Sequence, residues 1–103
     1  MFLFDSFIFF TYLYAHSWFG MPKVLSKSIL APLAHDEWTI HLNIWNNLFS
    51  KIKRFIFNTM SERDFLRKRF SNIALNGPTL GVAVDRPAEI SPQRFRDEFK
   101  IDF

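Results

Sequence analysis

Apolar and polar positions follow three regimes along this chain. The first, MFLFDSFIFFTYLYAHSWFGM, is apolar almost without interruption, with Asp5 as its one formal charge. Phe2 to Met21 is twenty residues, and at about 1.5 Å per residue a helix of that length spans roughly 30 Å, the hydrocarbon thickness of a bilayer. Its Phe, Ile and Tyr also suit a buried strand. Strands of four to eight residues would need turn signals inside the run, however, and none interrupts it. The pattern therefore predicts a transmembrane helix over 1–21.

Pro22 and Pro32 bracket VLSKSILA, and residues 22–35 read as an interfacial linker with one or two helical turns. From Asp36 the spacing changes. Trp38, Leu42, Trp45, Leu48, Phe49, Ile52, Phe55, Ile56 and Met60 recur every three or four residues, which predicts a long amphipathic helix of about 35 Å. Ser61-Glu62-Arg63-Asp64 reads as a new helix start with acids in its first turn. Asn76-Gly77-Pro78 reads as a stop that closes the helical region at 36–76. Beyond it, Leu80-Gly-Val-Ala-Val84 suits a strand or extended chain. Ser91-Pro92 is an N-cap followed by a first-position proline, predicting a helix from Pro92 to Lys100 with Phe95 and Phe99 on one face. Residues 77–103 hold too little apolar surface to fold alone, so this tail is expected to order against a partner. No internal repeat is visible. The fold class predicted is all-α.

Charge gives the first segment an orientation. Residues 1–22 carry −1, 23–60 carry +3, 61–79 carry +2 and 80–103 carry −1. No Lys or Arg precedes Lys23, so the basic leader of a signal peptide is missing. Lys23 and Lys27 just past the block place its C-terminal side in the matrix or cytoplasm by the positive-inside bias. The N-terminus then faces the intermembrane space, or the periplasm if the membrane is bacterial. The absence of Cys excludes a disulfide framework and thiolate metal sites.

Candidate chemistry is sparse. Glu37 and His41 stand at i, i+4, a usable ligand spacing, but a third and fourth ligand are missing, and no metal or other cofactor is expected. Gly77 to Gly81 lacks the third glycine of a dinucleotide loop and the lysine of a phosphate loop. Arg63, Arg67, Lys68 and Arg69 interleave with Phe65 and Phe70, a pattern that suits RNA. Glu62 and Asp64 dilute the patch, and nucleic acid is the lesser expectation. The aromatic content, fourteen Phe and three Trp in 103 residues, exceeds what so short a chain can hide, so protein or lipid must cover part of it. Trp38, Trp45 and Phe49 are the predicted partner anchors. Lys51, Lys53 and Arg54 are predicted to meet acidic partner residues or anionic lipid such as cardiolipin.

Asp5-Ser-Phe-Ile-Phe-Phe-Thr11, the aromatic run, Pro22-Lys23-Val24-Leu25 and Ile29-Leu30 together resemble the N-terminal region of mitochondrial ATP synthase subunit 8. The likeness covers residues 1–30, although Met1-Phe2-Leu3-Phe4 stands where that family has Met-Pro-Gln-Leu. It implies one membrane helix beside subunit a, a basic matrix-side segment reaching the peripheral stalk, and no catalytic residue. The sequence thus leads to the expectation of a non-catalytic, single-pass inner-membrane subunit of a bioenergetic complex. An accessory subunit of a respiratory-chain complex and a membrane-associated RNA- or ribosome-binding protein are the alternatives.

Overall fold

Parallel backbone pairing, and not a long helix, organises the chain in the computed structural model, which describes residues 3–102. Strand β1 (Phe7–Phe10) pairs with β2 (Ser28–Ala31) in the register Phe7–Ser28, Ile8–Ile29, Phe9–Leu30 and Phe10–Ala31. Two shorter extended segments continue the array beyond β2. Leu30 pairs in parallel with Phe55, through bonds from the Leu30 amide to the Arg54 carbonyl and from the Ile56 amide to the Leu30 carbonyl. Phe57 pairs in parallel with Thr79, and the Phe55, Phe57 and Leu80 amides donate to Asn76, Pro78 and Phe57 respectively.

In-register residues therefore lie 21, 25 and 22 positions apart, as Phe7–Ser28, Leu30–Phe55 and Phe57–Thr79. Each coil is an extended segment followed by a helical return. The returns are short turns at His16–Gly20, Met21–Lys23 and Leu25–Lys27, then a turn at Trp38–His41 with α1 (Ile44–Lys51), then α2 (Met60–Arg69). Stacked units of 20–45 residues that touch only their neighbours make a solenoid. This repeat has a period in space with no self-similarity in sequence, which is why no repeat was legible. A further helix, α3 (Pro92–Phe99), follows the last coil.

Several sequence expectations are corrected. The fold is not all-α, and no helix among the described residues is long and apolar enough to cross a membrane. The predicted span over 1–21 contains β1, a turn and the five-residue π-helical stretch His16–Gly20; its residues 1–2 lie outside the described residues. The single-pass inner-membrane placement, with orientation set by Lys23 and Lys27, loses its basis. What breaks the run is Thr11, whose φ of 67° lies in the left-handed region without a glycine. The Ser17 hydroxyl donates to the Thr11 carbonyl at 2.5 Å and His16 Nε2 bonds the Phe10 carbonyl at 2.8 Å, so side chains take over the role of a turn residue.

The linker at 22–35 contains β2, where Ser28, Leu30 and Ala31 are buried. The helix predicted over 36–60 divides in two, because Phe55-Ile56-Phe57 alternates buried, half-buried, buried and leaves the helical period for the strand period. Thr59 rather than Ser61 caps α2, its hydroxyl accepting from the Glu62 amide at 3.0 Å. Helix α3 matches its expectation closely: Ser91 caps it, Pro92 opens it and Lys100 closes it in the left-handed conformation.

One face of the array is packed. Leu30, Phe55 and Phe57 join Tyr12, Met21, Ile40, Trp45, Leu48, Phe49, Leu66, Phe70 and Leu75 in a single cluster. Phe49 stacks on Phe70 at 4.4 Å and on Phe55 at 5.8 Å, so helix and strand rings share one column. Gly77 passes so close to the Phe55 backbone that a Cβ there would sit 1.7 Å from the Phe55 carbonyl oxygen. Only glycine lets the fourth segment approach the third.

Charged side chains tie the coils together. Buried Glu62 accepts from the Ala34 amide through Oε1 at 3.1 Å and from the Asn58 amide through Oε2 at 2.8 Å, joining the second coil to the third. Arg69 donates to the Ile40 and Leu42 carbonyls and to Asn46, while Arg67 donates to the Leu75 carbonyl. Glu62→Gln keeps the shape but offers only one acceptor oxygen for two amides. One buried donor is left facing an NH₂ group, at a cost of about 1–3 kcal/mol. The expected result is a lower urea midpoint at unchanged m-value; an unchanged midpoint would show that Glu62 does not tie these coils.

Candidate interaction surface

Because the extended segments all run the same way, the two ends and the two faces of the array differ in chemistry. Helical returns cover one face. The other carries the alternate positions: Ile8 and Phe10 of β1 are 52% and 59% exposed, and Ile29 and Ile56 are half-buried. Phe10, Ala31 and Ile56 form one in-register row, and Ile8, Ile29 and exposed Arg54 form the next. The result is an apolar strip crossed by a single guanidinium.

Lys27 directly precedes β2 and Lys53 and Arg54 lead into the third segment, with Lys23 and Lys51 ending the returns before them and Asp5 two residues before β1. No carboxylate among the described residues forms an ion pair with Lys51, Lys53 or Arg54, which leaves a basic rim. At the C-terminal ends lie Tyr14, Leu33 and Trp38, all exposed, with Trp38 at 77%. A tryptophan this exposed is unusual, and its backbone is held firmly. The Tyr12 hydroxyl donates to Glu37 Oε1 at 2.9 Å and so accepts from the Thr39 hydroxyl at 2.7 Å. The Trp45 indole N–H donates to the Thr39 carbonyl at 2.7 Å. Residues 37 and 39 are thus anchored on either side of Trp38.

The predicted anchors separate into two groups. Trp38 is on the surface, but Trp45 and Phe49 are buried in the core, where Trp45 meets Tyr12 edge-on at 4.9 Å and Trp18 at 5.7 Å. Lys51, Lys53 and Arg54 are exposed on the basic rim. Glu37 and His41 point to different partners, Tyr12 and Asp36, and no group of three His, Asp or Glu among the described residues is placed to hold a metal ion. The basic run of α2 is partly engaged, while Lys68 is exposed. Arg63 pairs with Asp64 at 2.9 Å, Arg67 lies over the Phe57 ring, and Arg69 lies over Phe70 while clamping the second coil. Ile8, Phe10, Ile29 and Ile56 were missed as surface candidates. Their signal was the alternation Phe7-Ile-Phe-Phe10 and Phe55-Ile-Phe57, in which every residue is apolar and the period is hidden.

Burial pushes the Tyr12 phenol up to about 12; the Thr39 hydroxyl bond opposes the shift and the Glu37 carboxylate adds to it. A raised phenol pKa means the unfolded chain loses this proton first, near 10. The stability contributed by neutral Tyr12 is therefore whole below pH 10 and disappears as pH rises through about 12. Tyr12→Phe is expected to cost about 1 kcal/mol at neutral pH and to flatten the alkaline fall in urea midpoint relative to the unsubstituted protein. Parallel pH curves for the two proteins would contradict this.

Comparison of the chain with protein-family models, with curated proteins and with solved structures finds no match.

Proposed function

We propose that this chain is a non-catalytic interaction module, and that the outer face of its parallel array is the surface a protein partner covers. One observation carries the reading. Parallel sheets normally have both faces covered, whereas this one packs helical returns on a single face and leaves Ile8 and Phe10 exposed and Ile29 and Ile56 half-buried on the other. Solenoids of stacked coils use such open faces for binding. Burying a Phe or Ile side chain is worth about 1.5–3 kcal/mol, so two or three of these residues supply a useful affinity. Exposed Trp38 beyond the C-terminal end of β2 is a further aromatic anchor, and the basic rim at the opposite end favours a partner with acidic residues.

The reading retains from the sequence the expectation of a subunit held in a larger assembly by aromatic contacts. The membrane helix implied by the likeness to ATP synthase subunit 8 is not part of it, because β1 and its turn occupy that stretch and no helix among the described residues is long and apolar enough to cross a membrane. RNA is a weaker partner, since Arg67 and Arg69 donate to carbonyls of the fold and Arg63 pairs with Asp64, which leaves Lys68 as the free cation of that run among the described residues.

A photo-crosslinking residue placed at Phe10 or Ile56 in the full chain is expected to give one discrete adduct in source-cell extract, while the same residue at Asn47 on α1 gives none. Phe10→Ser with Ile8→Thr should abolish the adduct at position 56 with a stability loss of no more than about 1 kcal/mol, as for exposed strand positions. Equal adduct formation from positions 10, 56 and 47, or an adduct unaffected by the double substitution in a folded protein, would overturn the proposal.

A further inference from the structure

The tail beyond Thr79 supplies a candidate for what covers this face. Residues 80–100 are exposed throughout, yet they include Leu80, Val82, Val84, Ile90, Phe95 and Phe99. The chain's radius of gyration is 18.5 Å, against about 13 Å for a compact chain of this length, so the tail stands away from its own body. An eight-residue helix is marginal alone in water. Helix α3 is nevertheless finished at both ends. Ser91 accepts from the Arg94 amide, Gln93 bonds Asp97 one turn on at 2.7 Å, and the Ile101 amide returns to the Arg96 carbonyl beyond left-handed Lys100. The Phe95 and Phe99 rings lie 4.7 Å apart and form a two-ring apolar face.

That face and the outer face of the array are complementary in three respects. Each presents exposed aromatic or aliphatic side chains, Phe95 and Phe99 on α3 and Ile8 and Phe10 on the array. Up to residue 79 the chain has nine Lys and Arg against five Asp and Glu, and beyond it four against five, so body and tail carry +4 and −1. Locally, Glu89 and Glu98 line the shallow groove that holds Phe95, together with Arg94, while Arg54 lies in register with Ile8 and Ile29. The lengths also agree. Eight helical residues measure about 12 Å, and four adjacent extended segments span about 14 Å.

We propose that α3 of one copy docks across the outer sheet face of a second copy, with Phe95 and Phe99 on Phe10, Ile29 and Ile56 and with Glu98 and Glu89 toward Arg54 and Lys53. Each copy offers one face and one tail, so reciprocal exchange closes as a two-fold dimer. This rests on the outer face being an interaction surface, and it names the occupant.

The chain has no cysteine, so Asp102→Cys, just beyond α3 and outside the named contacts, gives a unique site for a nitroxide label on the full-length protein. Mixed with unlabelled-spin, 15N-enriched protein, the labelled copy is expected to erase the amide signals of Ile8, Phe10, Ile29 and Ile56 while sparing those of Asn46 and Asn47 on α1. Sedimentation should show about a two-fold rise in mass with concentration. Phe95→Asp with Phe99→Asp should abolish both effects without altering the amide spectrum of residues 7–79. Loss of those signals only when the label and 15N share one chain would overturn the exchange in favour of a tail folded on its own body. No signal loss at all would overturn docking of α3 altogether. If crosslinks from position 10 to a different protein persist in that last case, this proposal alone falls and the interaction-module reading stands.

Discussion

The architecture depends on parallel hydrogen bonding between segments that lie 21 to 25 residues apart. A parallel pair cannot be closed by a tight turn, so the chain must travel a helical return before each new segment can pair. That requirement fixes the order of everything else: extended segment, corner, return, next segment. It also fixes which side chains meet. Leu30, Phe55 and Phe57 face the returns and merge with Trp45, Phe49, Leu66 and Phe70 into one core, while their sequence neighbours are left on the opposite face. The outward strip of exposed Ile8 and Phe10 and half-buried Ile29 and Ile56 is thus a consequence of the pairing and not an independent feature.

The coils are too small to be held by apolar packing alone, and polar side chains supply the corners. Glu62 satisfies amides from two coils, Arg69 satisfies carbonyls of the preceding coil, and Tyr12 with Glu37 and Thr39 ties the first return to the second. Burying a carboxylate is costly without donors, and Glu62 has two, each a backbone amide that would itself be unsatisfied. The same economy engages two arginines of α2, since Arg67 and Arg69 both donate to backbone carbonyls. A guanidinium that donates to carbonyls inside the fold has fewer donors left for phosphate. Among the described residues, Lys51, Lys53 and Arg54 form no ion pair with a carboxylate, and their charges remain available.

Parts of this were legible in the sequence because they are local. Ser91-Pro92 and the Phe95–Phe99 spacing specify α3 within nine residues, and the acid-to-base gradient of 62–69 specifies α2 to within two residues of its start. The aromatic excess pointed correctly to surface that the chain does not cover. The parallel array was illegible because its evidence is non-local and its period is masked. In Phe7-Ile-Phe-Phe10 and Phe55-Ile-Phe57 the outward positions are as apolar as the inward ones, so a strand uncovered on one face reads as a continuous hydrophobic run. The corner at Thr11 carries no Gly, Pro, Asn or Asp, and its left-handed backbone is supported by Ser17 and His16, six and five residues further on. Trp45 and Phe49 looked like partner anchors for the related reason that helical spacing reports an apolar face without saying what lies against it. Trp38, at the same spacing, is exposed because it precedes α1 in a separate turn.

The register itself is open to direct measurement. Nuclear Overhauser contacts in 15N- and 13C-labelled protein distinguish paired extended chain from a continuous helix without reference to function. The account predicts backbone contacts between Ile8 and Ile29, between Leu30 and Phe55, and between Phe57 and Thr79, with strong sequential Hα-to-amide contacts through 7–10. Contacts of i to i+3 running unbroken from residue 7 to residue 20, with none between Leu30 and Phe55, would contradict it.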